Sequence, residues 1–255
     1  MTFLESIILG IIQGVTEWLP VSSSGMVSLV SLSFFGRDLG ESISFSFFLH
    51  FGTFLAVLVY FWSDLKNIFL DKKLLKFLFI STLVTFPVAG VLFLGLSKIS
   101  FSFSIAIIVV GVLLIITGLL QLYRKKTIAK KELDYKDGWL VGAMQGLAIL
   151  PGLSRSGLTL YGLILKKYSP KDALRLSFLM SIPVVFLGEI VLTVFNITFS
   201  RQNFFIDLPS LIGLLVAFVV GFLSIKVFLQ IAEKINFAWF VIVIGLFSIL
   251  GGLFI

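Results

Sequence analysis

Cysteine is absent from this chain and histidine nearly so, since His50 is the single histidine in the sequence. Without cysteine the chain has no disulfide, no thiolate metal site and no cysteine nucleophile. With one histidine, we expect neither a histidine-cluster metal site nor a Ser-His-Asp triad with a spare base. These shortages exclude cysteine-dependent enzymes and argue against enzymes that use a histidine cluster or a classical catalytic triad.

Charged side chains are also scarce, at 13% of the sequence, whereas soluble domains average about 25%. Apolar residues make up 58%, against about 45–50% in soluble domains. A chain of 255 residues cannot bury that much apolar surface in water, so lipid must solvate most of it. The net charge of +7 comes from basic residues in short loops between apolar runs, which indicates membrane topology and not nucleic-acid binding.

Apolar runs divide the chain into ten segments. Six of them have the length of about 20 residues that a membrane crossing takes: 43–62, 74–97, 104–123, 176–195, 208–231 and 237–255. The shorter four form two pairs, 3–19 with 26–36 and 137–150 with 157–165, each joined by a cluster of Pro, Ser and Gly. We predict that each pair is a re-entrant hairpin, whose irregular backbone is tolerated at membrane depth only beside protein or a polar cavity.

The second half of the sequence repeats the first at a shift of 132 residues. The shift brings identical residues of the two hairpins into register: Gly10, Gln13, Gly14, Ser22, Ser24 and Gly25 with Gly142, Gln145, Gly146, Ser154, Ser156 and Gly157. Each half then holds one hairpin and three crossings, so the halves have opposite orientations. The sequence therefore predicts an all-α polytopic membrane protein with six transmembrane crossings and two re-entrant helical hairpins. Its single membrane domain, 1–255, is an inverted-topology repeat of two five-element halves, 1–123 and 137–255.

In this topology the basic residues are distributed very unequally between the two faces of the membrane. Sixteen of the 20 lie in or beside four loops that the topology places on one face, 63–73, 124–136, 166–175 and 232–236. The opposite face has only Arg37, Lys98 and Arg201. Because cytoplasmic loops carry the excess of Lys and Arg, we expect a multi-pass protein of the plasma membrane. Both of its termini should lie on the extracytoplasmic side.

Ionisable residues inside apolar runs are costly and mark functional sites, and three stand out here: Glu17, Arg155 and Glu189. The first hairpin break reads QGVTEWLPVSSSGM (13–26), in which Gln13 and Glu17 lie four residues apart on one helix face. A helix N-cap needs one serine, and this break has three in succession. The additional hydroxyls indicate a task beyond capping.

The second break, PGLSRSGLT (151–159), repeats the design with Arg155 in place of the middle serine. Two helix N-termini would then meet around hydroxyls, a guanidinium and the Glu17 carboxylate. Helix N-termini bind anions, and an arginine fork suits phosphate oxygens. A carboxylate beside them serves as a base or holds a divalent cation. The constellation indicates phosphate chemistry at a membrane surface.

Two other interpretations stay open on the residues alone. Ser and Gly clusters let helices pack closely, and Glu17 and Arg155 could simply pair to compensate each other's charge. Inverted repeats with broken helices are also typical of transporters, here one for a lipid phosphate or a small anion. The residues by themselves do not separate an enzyme from a transporter.

At both breaks the sequence resembles the undecaprenyl-diphosphate phosphatase family, also called bacitracin-resistance proteins. QGVTEWLPVSSSG matches the first family motif and PGLSRSGLT the second, and the segments FLHFGTFLAVLVYFW (48–62) and SFLMSIPVV (177–185) are similar to further family segments. The resemblance implies an integral membrane enzyme that removes the terminal phosphate from a polyprenyl diphosphate, with a divalent cation, Mg or Ca. It also implies an active site on the extracytoplasmic side of the membrane. Its expected partners are this lipid and the surrounding membrane lipids, and a homo-oligomer stays open.

The resemblance also implies roles for individual residues. Glu17, Ser23 and Arg155 are the expected catalytic residues: Ser23 is the nucleophile, Glu17 a base or metal-linked residue, and Arg155 the group that binds the diphosphate. Further substrate-binding residues are expected at both breaks: Gln13, Ser22, Ser24, Gly25, Ser154, Ser156, Gly157 and Thr159. We expect the hairpin to fold Glu17 back toward the Ser23 hydroxyl.

Met26 departs from the family pattern, which has histidine directly after the glycine of the Ser-rich turn. Methionine cannot transfer a proton or attack phosphorus. Either Ser23 and Glu17 carry the chemistry, or the protein is slow, altered in substrate or an inactive paralogue. His50 fits the family pattern, but no catalytic role is implied for it, and Glu189 has no family counterpart.

Overall fold

A computed structural model describes residues 1–96, 103–122, 132–150, 152–195, 207–231 and 238–254. Within these ranges all regular secondary structure is helical. The helices are α1 (Phe3–Thr16), α2 (Ser23–Phe35), α3 (Leu39–Tyr60), α4 (Trp62–Asn67), α5 (Lys72–Leu96), α6 (Phe103–Leu122), α7 (Asp137–Leu147), α8 (Arg155–Leu165), α9 (Pro170–Phe195), α10 (Leu208–Ile231) and α11 (Ala238–Phe254). Ten of them correspond to the ten apolar runs, and α4 is an additional short helix. The predicted all-α class is confirmed.

Four helices are long and apolar enough to cross a membrane. The candidate spans are Gly40–Tyr60, Lys72–Gly95, Pro170–Val191 and Leu208–Gln230, within α3, α5, α9 and α10. Their outer faces expose large apolar side chains, for example Val91 and Phe79, which would be unfavourable in water. The chain is therefore an integral membrane protein.

The predicted count of six crossings stays a prediction. The apolar stretches of α6 and α11 within the described residues, Ile108–Leu120 and Val241–Leu253, are shorter than a full span. Residues 124–131 and 232–236, together with Lys98 and Arg201, lie outside the described residues. The predicted sidedness depends in part on their charges.

Helices of the two predicted halves pack against each other in exchanged pairs. Helix α1 packs along α10, and α7 packs along α5, while α6 packs against α11 and α3 against α9. In the predicted repeat α7 corresponds to α1, and α5 corresponds to α10. The contact of α1 with α10 and the contact of α7 with α5 are therefore equivalent. Each hairpin is thus held by a long helix of the other half.

Glycines allow the close approach in these exchanged pairs. A side chain at Gly142 of α7 would overlap the backbone of Ser81 in α5, with a Cβ only 2.8 Å from the Ser81 Cα. Its counterpart Gly10 in α1 lies in the same way against the Gly213 carbonyl of α10. Small residues at helix interfaces bring backbones into van der Waals contact, which is a main source of stability in lipid.

A buried aromatic residue fixes the first break in the protein interior. Trp18 is 1% exposed, and its indole N–H donates to the Gly221 carbonyl of α10 at 2.9 Å. Its ring meets the Phe178 ring of α9 edge to face, with centroids 5.0 Å apart. Because Trp18 follows Glu17 directly, these contacts also fix where the Glu17 carboxylate lies.

Candidate active site

The first break joins α1 to α2 through residues 17–22. Glu17 is the C-cap of α1. Helix α2 begins at Ser23, and its N-cap Ser22 accepts the Gly25 N–H on Oγ at 3.2 Å. This bond satisfies one of the free N–H donors of the helix start. The turn brings Glu17 and Ser23 to the same side of the break.

The second break, between α7 and α8, is capped in the same way. The N-cap Ser154 accepts the Gly157 N–H on Oγ at 3.1 Å. Gly152 has φ +107°, which glycine adopts without steric cost. A Cβ at Gly152 would also lie 2.7 Å from the Val110 carbonyl oxygen. This turn makes Arg155 the first residue of α8.

Direct hydrogen bonds join the two breaks. The Gly152 N–H donates to Ser22 Oγ at 3.2 Å, and the Ser156 hydroxyl donates to the Leu19 carbonyl at 2.5 Å. The hydroxyls of Ser154 and Ser156 lie 3.1 Å apart. Ser22 therefore caps its own helix and holds the opposite break, so that the starts of α2 and α8 lie side by side.

The Glu17 carboxylate is the centre of a buried polar network. Its Oε1 accepts Arg155 Nη2 at 2.5 Å. Its Oε2 accepts the Ser23 hydroxyl at 2.7 Å and Gln13 Nε2 at 3.0 Å. The Glu17 side chain is 6% exposed and that of Arg155 14%. A buried charge of this kind is tolerated only when it is paired and hydrogen-bonded.

Helix α9 holds the guanidinium of Arg155 from the other side. Arg155 Nη1 donates to the Ser177 carbonyl at 3.2 Å. The Ser177 and Thr159 hydroxyls are 2.6 Å apart, and Thr159 Oγ1 also donates to the Arg155 carbonyl at 2.8 Å. Thr159 thus acts on the orientation of Arg155 through the backbone and through Ser177.

Two further ionisable residues reach this network from α3 and α9. His50 Nε2 lies 3.2 Å from Glu17 Oε2. On the other side of the ring, His50 Nδ1 lies 3.8 Å from Glu189 Oε1 and has no hydrogen-bond partner. The imidazole therefore stands between two carboxylates, with the Glu17 side already bonded to Ser23.

These groups line a cavity of about 170 Å³. Its polar lining consists of Glu17, Ser22, Ser23, Ser24, His50, Ser154, Arg155, Ser156 and Glu189, beside Thr85 and Gln145. The remaining wall is largely apolar and includes Phe47, Phe86, Ala89, Ile149, Val184 and Val185. A cavity with hydroxyls and a guanidinium at one wall and aromatic and aliphatic groups at another suits an amphiphile with an anionic head.

Comparison with known proteins decides the family. The family model described as bacitracin resistance protein BacA matches residues 6–250. The chain belongs to this family. It is 40% identical to an undecaprenyl-diphosphatase of Methanococcoides burtonii, over 98% of both chains. It is 37% identical to one of Methanothrix thermoacetophila, over 98% of this chain and 96% of the relative, and 35% identical to one of Halothermothrix orenii, over the whole of both. The resemblance inferred from the two break motifs is confirmed.

Most, but not all, of the site residues expected for a BacA family member line the cavity. Glu17, Ser23 and Arg155 do so, together with four of the expected substrate-binding serines: Ser22, Ser24, Ser154 and Ser156. The other four expected residues lie behind these and contact them: Gln13, Gly25, Gly157 and Thr159. Their contacts position the lining side chains.

His50 and Glu189 were left without a role by the sequence. Both are ionisable residues inside apolar runs, a pattern that marks Glu189 as a candidate site residue. What the sequence could not supply is the rotation of α3 and α9, which turns both side chains toward Glu17. Met26, where the BacA family pattern has histidine, does not line the cavity. The imidazole of this site comes from α3 and not from the Ser-rich turn.

The repeat is not symmetric at the site. Gln145, the counterpart of Gln13, donates to Thr85 Oγ1 at 3.0 Å. At the shift of 132 residues the counterpart of Glu17 is Ile149. The two halves therefore share the backbone design of the breaks, but one supplies the carboxylate and the other the guanidinium.

The donor set around Glu17 does not fit a divalent cation bound to this carboxylate. Both of its oxygens already accept hydrogen bonds, one of them from the Arg155 guanidinium, whose positive charge would repel a cation at the same carboxylate. Among the described residues no three His, Asp or Glu side chains are arranged as a metal site. The metal ligand expected at Glu17 is therefore not supported by this arrangement, and the proposed steps use protein side chains.

Proposed function

We propose that this protein hydrolyses a polyprenyl diphosphate to the polyprenyl monophosphate and inorganic phosphate. The observation that carries the proposal is the Ser23 hydroxyl, which donates to Glu17 at 2.7 Å while Arg155 binds the same carboxylate at 2.5 Å. A nucleophile, a base and a phosphate-binding cation thus lie within one hydrogen-bond network. The names of the curated relatives, undecaprenyl-diphosphatase, agree with this chemistry.

Ser23 is the nucleophile in this mechanism. Its Oγ attacks the terminal phosphorus while Glu17 takes the hydroxyl proton. The bond between that phosphorus and the bridging oxygen breaks, and the polyprenyl monophosphate leaves. Water then attacks the phosphoseryl group, its hydroxyl stays on the phosphorus, and its proton restores the Ser23 hydroxyl. The products are the lipid monophosphate and inorganic phosphate.

Arg155 and the helix starts stabilise the charge that develops on the phosphoryl oxygens. Two of the five guanidinium N–H donors are used by Glu17 and Ser177, and the others are available to phosphate. Backbone N–H groups at the N-termini of α2 and α8 add donors on the same wall of the cavity. The apolar wall with Phe47, Phe86 and Val184 suits the first isoprene units.

We further infer the topology that the sequence predicts, an inverted repeat of 1–123 and 137–255 with six crossings and two re-entrant hairpins. The exchanged packing of α1 with α10 and of α7 with α5 supports it, as do the glycines repeated at both contacts. The distribution of basic residues supports termini on the extracytoplasmic side, and the resemblance to the BacA family carries the proposal that the active site faces the same side. In this arrangement the enzyme regenerates a lipid carrier outside the cell.

Phosphate release by the purified protein tests the proposed function. Wild-type protein in detergent, given a polyprenyl diphosphate, should release inorganic phosphate, and Ser23→Ala should abolish the release. Ser28→Ala is a matched control, because Ser28 lies on the same helix, is 5% exposed, and its hydroxyl has no partner. No release by wild-type protein, or full release by Ser23→Ala, would contradict the proposal.

A further inference from the structure

Hydrolysis through Ser23 leaves one proton in the site in every turnover. Ser23 loses its proton to Glu17 when the Oγ–P bond forms. The second half-reaction does not consume this proton, because the attacking water supplies both the hydroxyl on the phosphate and the proton that restores Ser23. Glu17 must therefore lose the proton before the next substrate molecule can react.

Among the groups that contact the Glu17 carboxylate, one can accept this proton. Ser23 and Gln13 are neutral donors, and the guanidinium of Arg155 is already charged. His50 Nε2 lies 3.2 Å from Glu17 Oε2, the same oxygen that receives the Ser23 proton at 2.7 Å. The proton thus has a path of two short steps from the serine oxygen to the imidazole.

The far side of the ring is suited to a charged imidazole. Glu189 Oε1 lies 3.8 Å from His50 Nδ1, and the Glu189 residue is 6% exposed. A carboxylate at this distance stabilises an imidazolium electrostatically. The Glu189 side chain also lines the cavity. Without the histidine its carboxylate would have no partner among the contacts that the structure describes.

We propose that His50 is the proton acceptor that returns Glu17 to its basic form, and that Glu189 orients and stabilises the imidazolium. This inference rests on the proposed function. The Ser23 proton passes to Glu17 and then to His50 Nε2, and from there it leaves with the phosphate products. His50 thereby supplies from α3 the imidazole that this chain lacks at Met26.

A set of variants at His50 separates proton transfer from simple pairing with Glu17. His50→Gln keeps a side chain that can hydrogen-bond to Glu17 but cannot take up a proton. We expect its kcat to fall by the roughly 10²–10⁴-fold that a positioned acid or base contributes, with little change in KM. His50→Ala should be equally slow, and added imidazole should restore part of its kcat by occupying the vacated space.

Two further variants complete the experiment. Glu189→Gln should lower kcat less than His50→Gln does, again with little effect on KM. Thr53→Val is the matched control and should behave as wild type. Thr53 is buried in the same helix, does not line the cavity, and its hydroxyl donates to the His50 carbonyl at 3.1 Å.

The outcomes distinguish this inference from the proposed function. Wild-type release of phosphate together with a normal kcat for His50→Gln would overturn the role of His50 alone, and would leave the histidine as a structural partner of Glu17. Failure of imidazole to restore any activity to a folded His50→Ala protein would also contradict it. Absence of release by the wild-type protein would overturn the proposed function and this inference together.

Discussion

At the scale of single residues, the site depends on one carboxylate that several groups share. Glu17 accepts hydrogen bonds from Arg155, Ser23 and Gln13, and His50 approaches the same oxygen as Ser23. A buried charge that loses its partner costs about 3–5 kcal/mol, so substitutions that remove a charge here affect folding and activity together. Variants that keep the charge and change the geometry are the more informative ones.

Arg155→Lys is such a variant. An ammonium group cannot bind Glu17, the Ser177 carbonyl and a phosphate oxygen with the fork of a guanidinium. We expect kcat/KM to fall by an amount equivalent to roughly 2–5 kcal/mol of transition-state binding. Arg37→Lys is the control, because Arg37 pairs with Glu5 at 2.8 Å outside the cavity. Near-normal turnover by Arg155→Lys would make Arg155 a structural residue.

Substitutions of Met26 test whether the histidine of the family pattern is needed at that position. Met26 does not line the cavity, so Met26→Ala should retain most of the phosphate release. For the same reason Met26→His should change kcat only slightly. A gain of the roughly 10²–10⁴-fold expected for a positioned acid or base would contradict the mechanism through Ser23, Glu17 and His50.

At the scale of helices, the two hairpins are held by close contacts that glycine permits. Gly142 faces the Ser81 backbone, and Gly10 faces Gly213. Gly142 and Gly10 do not line the cavity, but their contacts fix the start of α2 and of α8 through the short hairpin turns. Their loss should therefore reduce stability first and activity only as a consequence.

Gly142→Ala is expected to destabilise the protein by about 1–3 kcal/mol, the usual cost of overpacking a close contact. Thermal unfolding in detergent should show a lower Tm. Gly90→Ala is the matched control in α5, since a Cβ there meets nothing within 4 Å. Alanine favours a helix by up to about 1 kcal/mol over glycine, so Gly90→Ala should leave the Tm unchanged or raise it. Equal Tm values for Gly142→Ala and wild type would mean that α5 and α7 are not packed as described.

The sequence predicts the parts of the site that are local in the chain. Both breaks are encoded by short segments, in which Ser22 and Ser154 cap the following helices. The pairing of Glu17 with Ser23 also follows from the local sequence, because one short break joins the two residues. By contrast, the positions of His50 and Glu189 depend on how α3 and α9 rotate against each other. Polar residues of α3 recur at helical spacing, at Ser42, Ser46, His50 and Thr53, but this spacing does not identify the helix that the polar face meets.

At the scale of the whole molecule, the fold is an assembly in which each predicted half completes the other. Long helices of one half pack on the hairpin of the other, and the carboxylate and the guanidinium come from different halves. Neither half alone contains the site. Hydropathy gives the position of each span along the chain, so the helices could be predicted from the apolar runs. It does not give the packing partner of a helix, and here the partner often belongs to the other half.

Cysteine labelling in intact cells tests the proposed topology. The chain has no cysteine of its own, so an introduced residue is labelled without background. Glu41→Cys introduces a cysteine at an exposed position at the start of the span in α3, and Lys72→Cys does so beyond the end of that span. We expect an impermeant reagent to label the first from outside and the second only after permeabilisation. Reversed labelling would invert the proposed orientation, and labelling of both from outside would contradict the topology.

The measurement that tests the central claim most directly is a single-turnover reaction with a polyprenyl diphosphate labelled in its terminal phosphate. Rapid quenching and peptide mapping would locate the label on the protein. The mechanism predicts that the label appears transiently on Ser23 and then as free phosphate, and that Ser23→Ala forms neither while Ser28→Ala forms both. Label that passes to free phosphate at a normal rate in Ser23→Ala would contradict the mechanism.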